Sequence, residues 1–106
     1  MLIEMAPPDY SKGMIYKIAQ RDGTGECYIG STTNIVQRRA QHKSACNNIG
    51  NPRHNEIKYQ HMRQTGGFDN WCVVPVEVYP CNNKTELELR ERHFIETLNP
   101  LLNTNR

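Results

Sequence analysis

The chain has 106 residues, with 13 basic and 11 acidic side chains giving a formal net charge of +2 at pH 7. That length holds one small domain and leaves no room for a second. A modest apolar content of 37% and so slight a positive excess permit nucleic-acid binding without demanding it. No apolar run approaches the roughly 20 residues that span a bilayer. Met1 to Pro8 lacks the basic segment and long apolar run of a secretory leader. The four cysteines, Cys27, Cys46, Cys72 and Cys81, form no Cys-x-x-Cys pair, which argues against a zinc knuckle or a thioredoxin-like site. Reduced thiols and an intracellular setting, cytoplasmic or nuclear rather than secreted, are the expectation.

Residues 1–12 contain Pro7-Pro8 and little periodicity, and read as a flexible N-terminal tail ahead of a single domain over 13–106. Met14 to Ala19 alternates as a strand should, with Ile15 and Tyr16 supplying β propensity. Asp22-Gly23-Thr24-Gly25 is a strong hairpin signal, so Cys27 to Ile29 reads as a returning antiparallel strand ended by Gly30. Ser31, Thr32 and Thr33 offer caps for a helix from about Asn34 to Cys46. Asn47 to Pro52 is loop by composition. Asn55 to Gln64 lacks breakers and is stopped by Gly66-Gly67, which predicts a second helix. Trp71 to Tyr79 reads as a third strand whose Pro75 marks an edge or a bulge. Thr85 to Glu88 forms a capping box opening a helix to about Leu98, where Asn99-Pro100 stops it. The fold class is α/β in the α+β sense. A small three-stranded antiparallel or mixed sheet is flanked by helices in the order β-β-α-α-β-α.

The last helix raises the first chemical question. At about 100° per residue, Leu87, Phe94, Ile95 and Leu98 share one stripe, and Glu91 falls within it. A carboxylate aimed at a core is costly unless it is paired or bound to a metal. Either a metal ligand at a cleft or a Glu satisfied by a neighbouring Arg or Tyr fits that position. On the first helix Arg38 and His42 lie four apart and share a face, while Val36 and Ala40 form a separate strip more suited to packing. Arg39 and Lys43 add positive charge. An Arg fork suits a phosphate's developing charge and a His carries protons near neutrality, yet a solvated basic face gives the same pattern. Tyr16 and Tyr28 sit on neighbouring strands, where aromatic pairs commonly just stabilise a sheet. A catalytic role needs their hydroxyls at the end of the sheet where Arg38 and Glu91 converge.

Met14-Ile15-Tyr16 and Tyr28-Ile29-Gly30, their tyrosines twelve positions apart, resemble the two signature triplets of the GIY-YIG nuclease superfamily. Arg38 follows Tyr28 by ten positions and His42 by fourteen, as on that family's catalytic helix. Glu91, with Phe94-Ile95, Pro100 and Asn103 after it, resembles the family's metal-binding Glu motif and closing Asn. The likeness spans roughly residues 13 to 104, with Met14 in place of the first glycine, a position that supplies backbone rather than chemistry.

The resemblance implies a metal-dependent DNA endonuclease. Glu91 would hold one Mg²⁺ or Mn²⁺, a single carboxylate plus waters suiting Mg²⁺. Tyr28 or Tyr16, helped by His42, would deprotonate the attacking water, and Arg38 would stabilise the transition state. Arg39 and Lys43, with Arg53 and Lys58 beyond, are candidate phosphate contacts, and Asn103 a substrate or structural contact. Targeting would come from this domain, a homodimer or a partner protein. The rival reading is a non-catalytic nucleic-acid-binding or assembly module on a nuclease scaffold. A zinc site using a cysteine with His54 and His61, which lie seven apart on one helix face, lacks a second ligand pair.

Overall fold

The computed structural model describes residues 7–103. Its strands are β1 (Met14–Gln20), β2 (Tyr28–Thr32) and β3 (Trp71–Val78). Its helices are α1 (Ile35–Asn47), α2 (Ile57–Gln64) and α3 (Lys84–Leu98). The sheet order is β2-β1-β3 and both pairings are antiparallel, so among the described residues the sheet is antiparallel rather than mixed. The element order is the expected β-β-α-α-β-α.

Alternation along β1 divides the core in two. Tyr16 and Ile18 join Ala45 and Cys46 of α1, Tyr59 and Met62 of α2, and Trp71 in one buried cluster. Ile15 and Ile29 point the other way and pack with Leu87 of α3 and the half-buried Phe94 and Ile95. Successive strand side chains face opposite ways, so α1 and α2 cover one face and α3 the other. β2 is an edge strand, and side chains from both faces meet around it.

Several local expectations need correction. Gly30 does not end β2. It lies inside the strand opposite Tyr16, and the strand runs on to Thr32. The cap of α1 is Asn34, whose side chain accepts from Gln37 N, and the helix starts at Ile35. The inward face of α1 carries His42, Ala45 and Cys46, whereas Val36 is 78% exposed and Ala40 is also exposed. His42 sits on the inward face in place of the expected apolar strip, because it finds partners inside.

The box opening α3 sits two residues earlier than expected. Asn83 Oδ1 accepts from Glu86 N, and Glu86 Oε1 from Asn82 N, at 2.9 and 2.8 Å. Leu98, in the last turn, is 52% exposed and leaves the stripe. Asn99 reverses the chain in the left-handed conformation (φ 49°). Pro75 is exposed on edge strand β3, beside the register shift that leaves Val76 without a partner.

The tail expectation lies partly outside the described residues. Of the remainder, Tyr10–Lys12 forms a 3₁₀ turn docked on the domain, with Cys81 N donating to Tyr10 O at 2.9 Å. All four cysteines are free thiols. Among the described residues no helix is long and apolar enough to cross a membrane.

Candidate active site

The first triplet places Tyr16 in the middle of β1, with its ring laid across Gly30 of β2. A Cβ at position 30 would fall on the Tyr16 hydroxyl and ring atoms. Gly30 therefore answers a close approach rather than a turn. Its partner in register is Tyr16, while Tyr28 pairs with Ile18, so the two tyrosines are not a direct cross-strand pair.

The Tyr16 hydroxyl lies 2.7 Å from His42 Nε2, and His42 Nδ1 lies 2.7 Å from the hydroxyl of Tyr59 on α2. Both Tyr16 and Tyr28 set their rings edge-on to the imidazole, at centroid distances of 5.7 and 5.8 Å. His42 is 2% exposed. Burial and the nearby Arg38 charge pull its pKa down to about 3, so the ring is neutral at physiological pH. Burial also pushes the Tyr16 and Tyr28 phenols up, and the Tyr59 phenol up to about 12.

Arg38, one turn before His42, is half-buried, and its Nε is buried without a hydrogen-bond partner. From the opposite face of the sheet, α3 brings Glu91 around β2, where Ser31 Oγ donates to Glu91 Oε1. Burial pushes the Glu91 carboxyl up, opposed by the Ser31 hydrogen bond and the Arg38 charge. Tyr16, Tyr28, Gly30, Arg38 and Glu91 line one cleft of about 480 Å³. The residues meet beside the edge strand β2 rather than at the end of the sheet, and Tyr16 is only 1% exposed there. A second hollow of about 280 Å³ shares Tyr28 and Glu91 and adds Lys58 and Arg92.

The other expected residues lie around this centre. Asn103 commits its amide to the free side of β2, with Oδ1 accepting from Ile29 N and Nδ2 donating to Ile29 O, both at 2.7 Å. It substitutes for a missing neighbouring strand, which supports the structural side of its expectation. Arg39 and Lys43 do not reach the cleft. On α1 they turn about 100° and 140° from Arg38 in one direction, while Gln37 and Gln41 turn the other way onto the cleft wall. Arg39 rests over Phe68 at 5.4 Å.

Arg53 forks onto Glu56 at 2.9 and 3.1 Å, and Lys58 Nζ reaches the same carboxylate at 2.6 Å. The Arg53 hydrogen bond comes first among the causes that hold the Glu56 carboxyl down at about 2. Lys58 also stands 4.9 Å over the Tyr28 ring and 4.8 Å over Tyr59. The zinc geometry fails, because α2 starts at Ile57 and leaves His54 off the helix, bonded to Ala45 O at 2.9 Å.

Sequence reasoning missed Tyr59 and Ser31. Ser31 was readable only as a cap, and Tyr59 only as a core residue of α2.

Could a divalent cation sit here? Among the described residues Glu91 forms no ion pair, and no three His, Cys, Asp or Glu side chains gather at this cleft or anywhere else. A half-buried carboxylate with one hydroxyl donor and no ion pair suits a hard cation that keeps most of its waters. The residues fit.

An antiparallel α+β domain with tyrosines, a histidine, an arginine and one such carboxylate around a cleft has the composition of a phosphoryl-transfer site. The chain belongs to the GIY-YIG family, a family of nucleases: the GIY-YIG catalytic domain matches residues 12–105. Its members generally use divalent metals. No curated protein and no solved structure matches the chain.

Proposed function

We propose that the protein is a DNA endonuclease that hydrolyses phosphodiester bonds with Mg²⁺ or Mn²⁺ held at Glu91. One observation carries this reading: Tyr16, hydrogen-bonded on its buried side to His42, lines the same cleft as Arg38 and Glu91. When bound, the cation supplies positive charge to the phosphate and to the departing oxygen.

The protein's own groups do the rest. Tyr16 is a neutral phenol at physiological pH and makes a poor free base. It works instead as a relay, taking a proton from the attacking water as it hands its own to His42 Nε2. Tyr28, at the cleft wall beside Glu91, orients that water. The Arg38 guanidinium, with its unsatisfied Nε, stabilises the charge that builds on the phosphate oxygens. Asn103 holds β2 in place and thereby fixes Tyr28 and Ser31. Lys58 and Arg92, lining the adjoining hollow, and Arg39 and Lys43, on the flank of α1, contact phosphates further along the strand and give position rather than sequence. One such centre cuts one strand, so a double-strand break needs two protomers or two successive events.

Supercoiled plasmid incubated with the protein and MgCl₂ or MnCl₂ tests the proposal. Conversion to open circles that EDTA stops is the expected result. Retarded DNA with no nicking under either metal overturns it in favour of a binding or assembly module.

A further inference from the structure

The buried hydrogen bond on the far side of His42 has no part in the scheme above. A neutral imidazole carries one N–H and one bare nitrogen, and each of its neighbours here is a tyrosine hydroxyl that donates or accepts. Two arrangements satisfy both 2.7 Å distances. In one, Nδ1–H donates to Tyr59 and the Tyr16 hydroxyl donates to Nε2. In the other, Tyr59 donates to Nδ1 and Nε2–H points at Tyr16. Only the first leaves Nε2 free to receive the Tyr16 proton. It requires an acceptor at Nδ1, and the Tyr59 oxygen is the group placed to be one.

We infer that Tyr59 is a positioning residue, accepting the His42 Nδ1–H and so holding Nε2 as the proton acceptor for Tyr16. The inference rests on the proposed role of Tyr16 as a relay. Several features make the arrangement rigid. His42 and Tyr59 are 2% and 1% exposed, so water does not compete freely for either ring. The Tyr59 ring is tilted 52° to the imidazole at 5.9 Å, and Lys58 packs over its face. When His42 accepts the proton, its Nδ1–H bond to Tyr59 becomes charge-assisted and shortens, which steadies the imidazolium in a site that otherwise disfavours it. Tyr59 touches neither water nor phosphate in this scheme. It acts through the tautomer alone, as a third group does behind other nucleophile–base pairs.

The test reads the tautomer directly. Two-bond ¹H–¹⁵N correlation spectra of the full chain at neutral pH, with the His42 signals assigned by their loss in His42→Gln, distinguish Nδ1–H from Nε2–H and need no turnover. The wild type shows Nδ1–H, and Tyr59→Phe switches the ring to Nε2–H. In the same variant kcat for plasmid nicking falls about 10- to 100-fold, as is usual when an outer partner of a working histidine is removed, with KM little changed. Because Tyr59 acts only through His42, adding Tyr59→Phe to His42→Gln produces no further loss.

An Nε2–H wild-type ring overturns the inference even if Tyr59→Phe fails to fold. So does a Tyr59→Phe enzyme of unchanged kcat, and so does a full additive loss in the double variant. A wild-type protein that nicks no DNA under either metal instead overturns the proposed function, while the spectra still report the Tyr59 bond.

Discussion

Two ends of one site are built on opposite principles. At the α1 end, His42 has both ring nitrogens bonded at 2.7 Å and is sealed from solvent. At the α3 end, Glu91 has a hydroxyl donor but no ion pair among the described residues, and Arg38 nearby has an orphaned Nε. Cations are not scarce there. Arg90, one residue before Glu91, forks onto Glu77 at 2.5 and 2.7 Å, and Arg92, one residue after it, shares a hollow with Glu91 without forming an ion pair to it. A fully satisfied polar network rigidifies the interior. A carboxylate and a guanidinium left under-partnered at a cleft are where an incoming cation and phosphate complete the set. The contrast therefore separates the part that must be fixed before substrate arrives from the part that substrate finishes.

Breaking the under-partnered end has the largest effect. Glu91→Gln keeps the shape and the Ser31 contact but removes the charge, and nicking falls by at least about 10³-fold if one anchor holds the cation. Its sign on stability is the opposite. The folded protein raises the Glu91 pKa, so ionised Glu91 detracts from stability as pH rises through that value. The variant consequently melts at a higher temperature than wild type at neutral pH, in keeping with a functional site that is not optimised for stability. MnCl₂ raises the melting temperature of wild type and not of the variant, by the linkage between binding and folding. A variant that still nicks removes Glu91 from the metal site.

Arg38→Ala comes next, with a kcat loss of about 10²- to 10³-fold, the usual scale for one transition-state donor. Arg38→Lys recovers only part of it, since an ammonium lacks the planar fork. Full recovery would mean that Arg38 supplies charge alone.

The satisfied end is probed by stability. Asn103→Ala leaves Ile29 N and O unpaired inside the protein, costing about 1–3 kcal/mol in a denaturant titration. His42 gives a pH signature. Its folded pKa, about 3, lies below the ordinary value of 6.5, so below pH 6.5 the unfolded chain takes up a proton that the folded one refuses. Stability is full above pH 6.5 and falls toward pH 3, by up to about 1.4 kcal/mol per pH unit from this group. His42→Gln flattens that acid limb, and an unchanged slope would show that His42 is not held neutral.

How far these two ends were legible in the sequence follows from the range of the contacts involved. Glu91 was legible because helical periodicity is local, and it fell into a stripe with Leu87, Phe94 and Ile95. The inward face of α1 was misread because pattern reasoning assigns apolar strips to cores, whereas His42 enters through partners on β1 and α2. Gly30 was read as a turn for a similar reason, since its need for a bare Cα depends on its register opposite Tyr16. Tyr59 and Asn103 depend on partners 17 and 74 positions away, and no spacing rule reaches that far. Hydrophobic pattern and turn chemistry thus carried the element order, while the matched triplets carried the site. The hydrogen bonds that hold the site needed the fold.

The smallest effect tests how far the open end extends along bound DNA. Arg39 and Lys43 lie on the flank of α1 away from the cleft, and Arg39 rests on Phe68 without a carboxylate partner among the described residues. If each neutralises one phosphate of a strand running past α1, neither touches the reacting group. Arg39→Gln and Lys43→Gln should then leave kcat at saturating DNA unaltered. Each should lower the slope of log affinity against log salt by about 1, and the two should add. Their effect should be the same on any DNA sequence, because phosphate contacts position the duplex without reading it. A salt slope unchanged in the double variant would confine the DNA path to the side of Gln37, Gln41 and Lys84, where the cleft opens past Arg38. The basic residues on the far flank would then be a solvated face and nothing more.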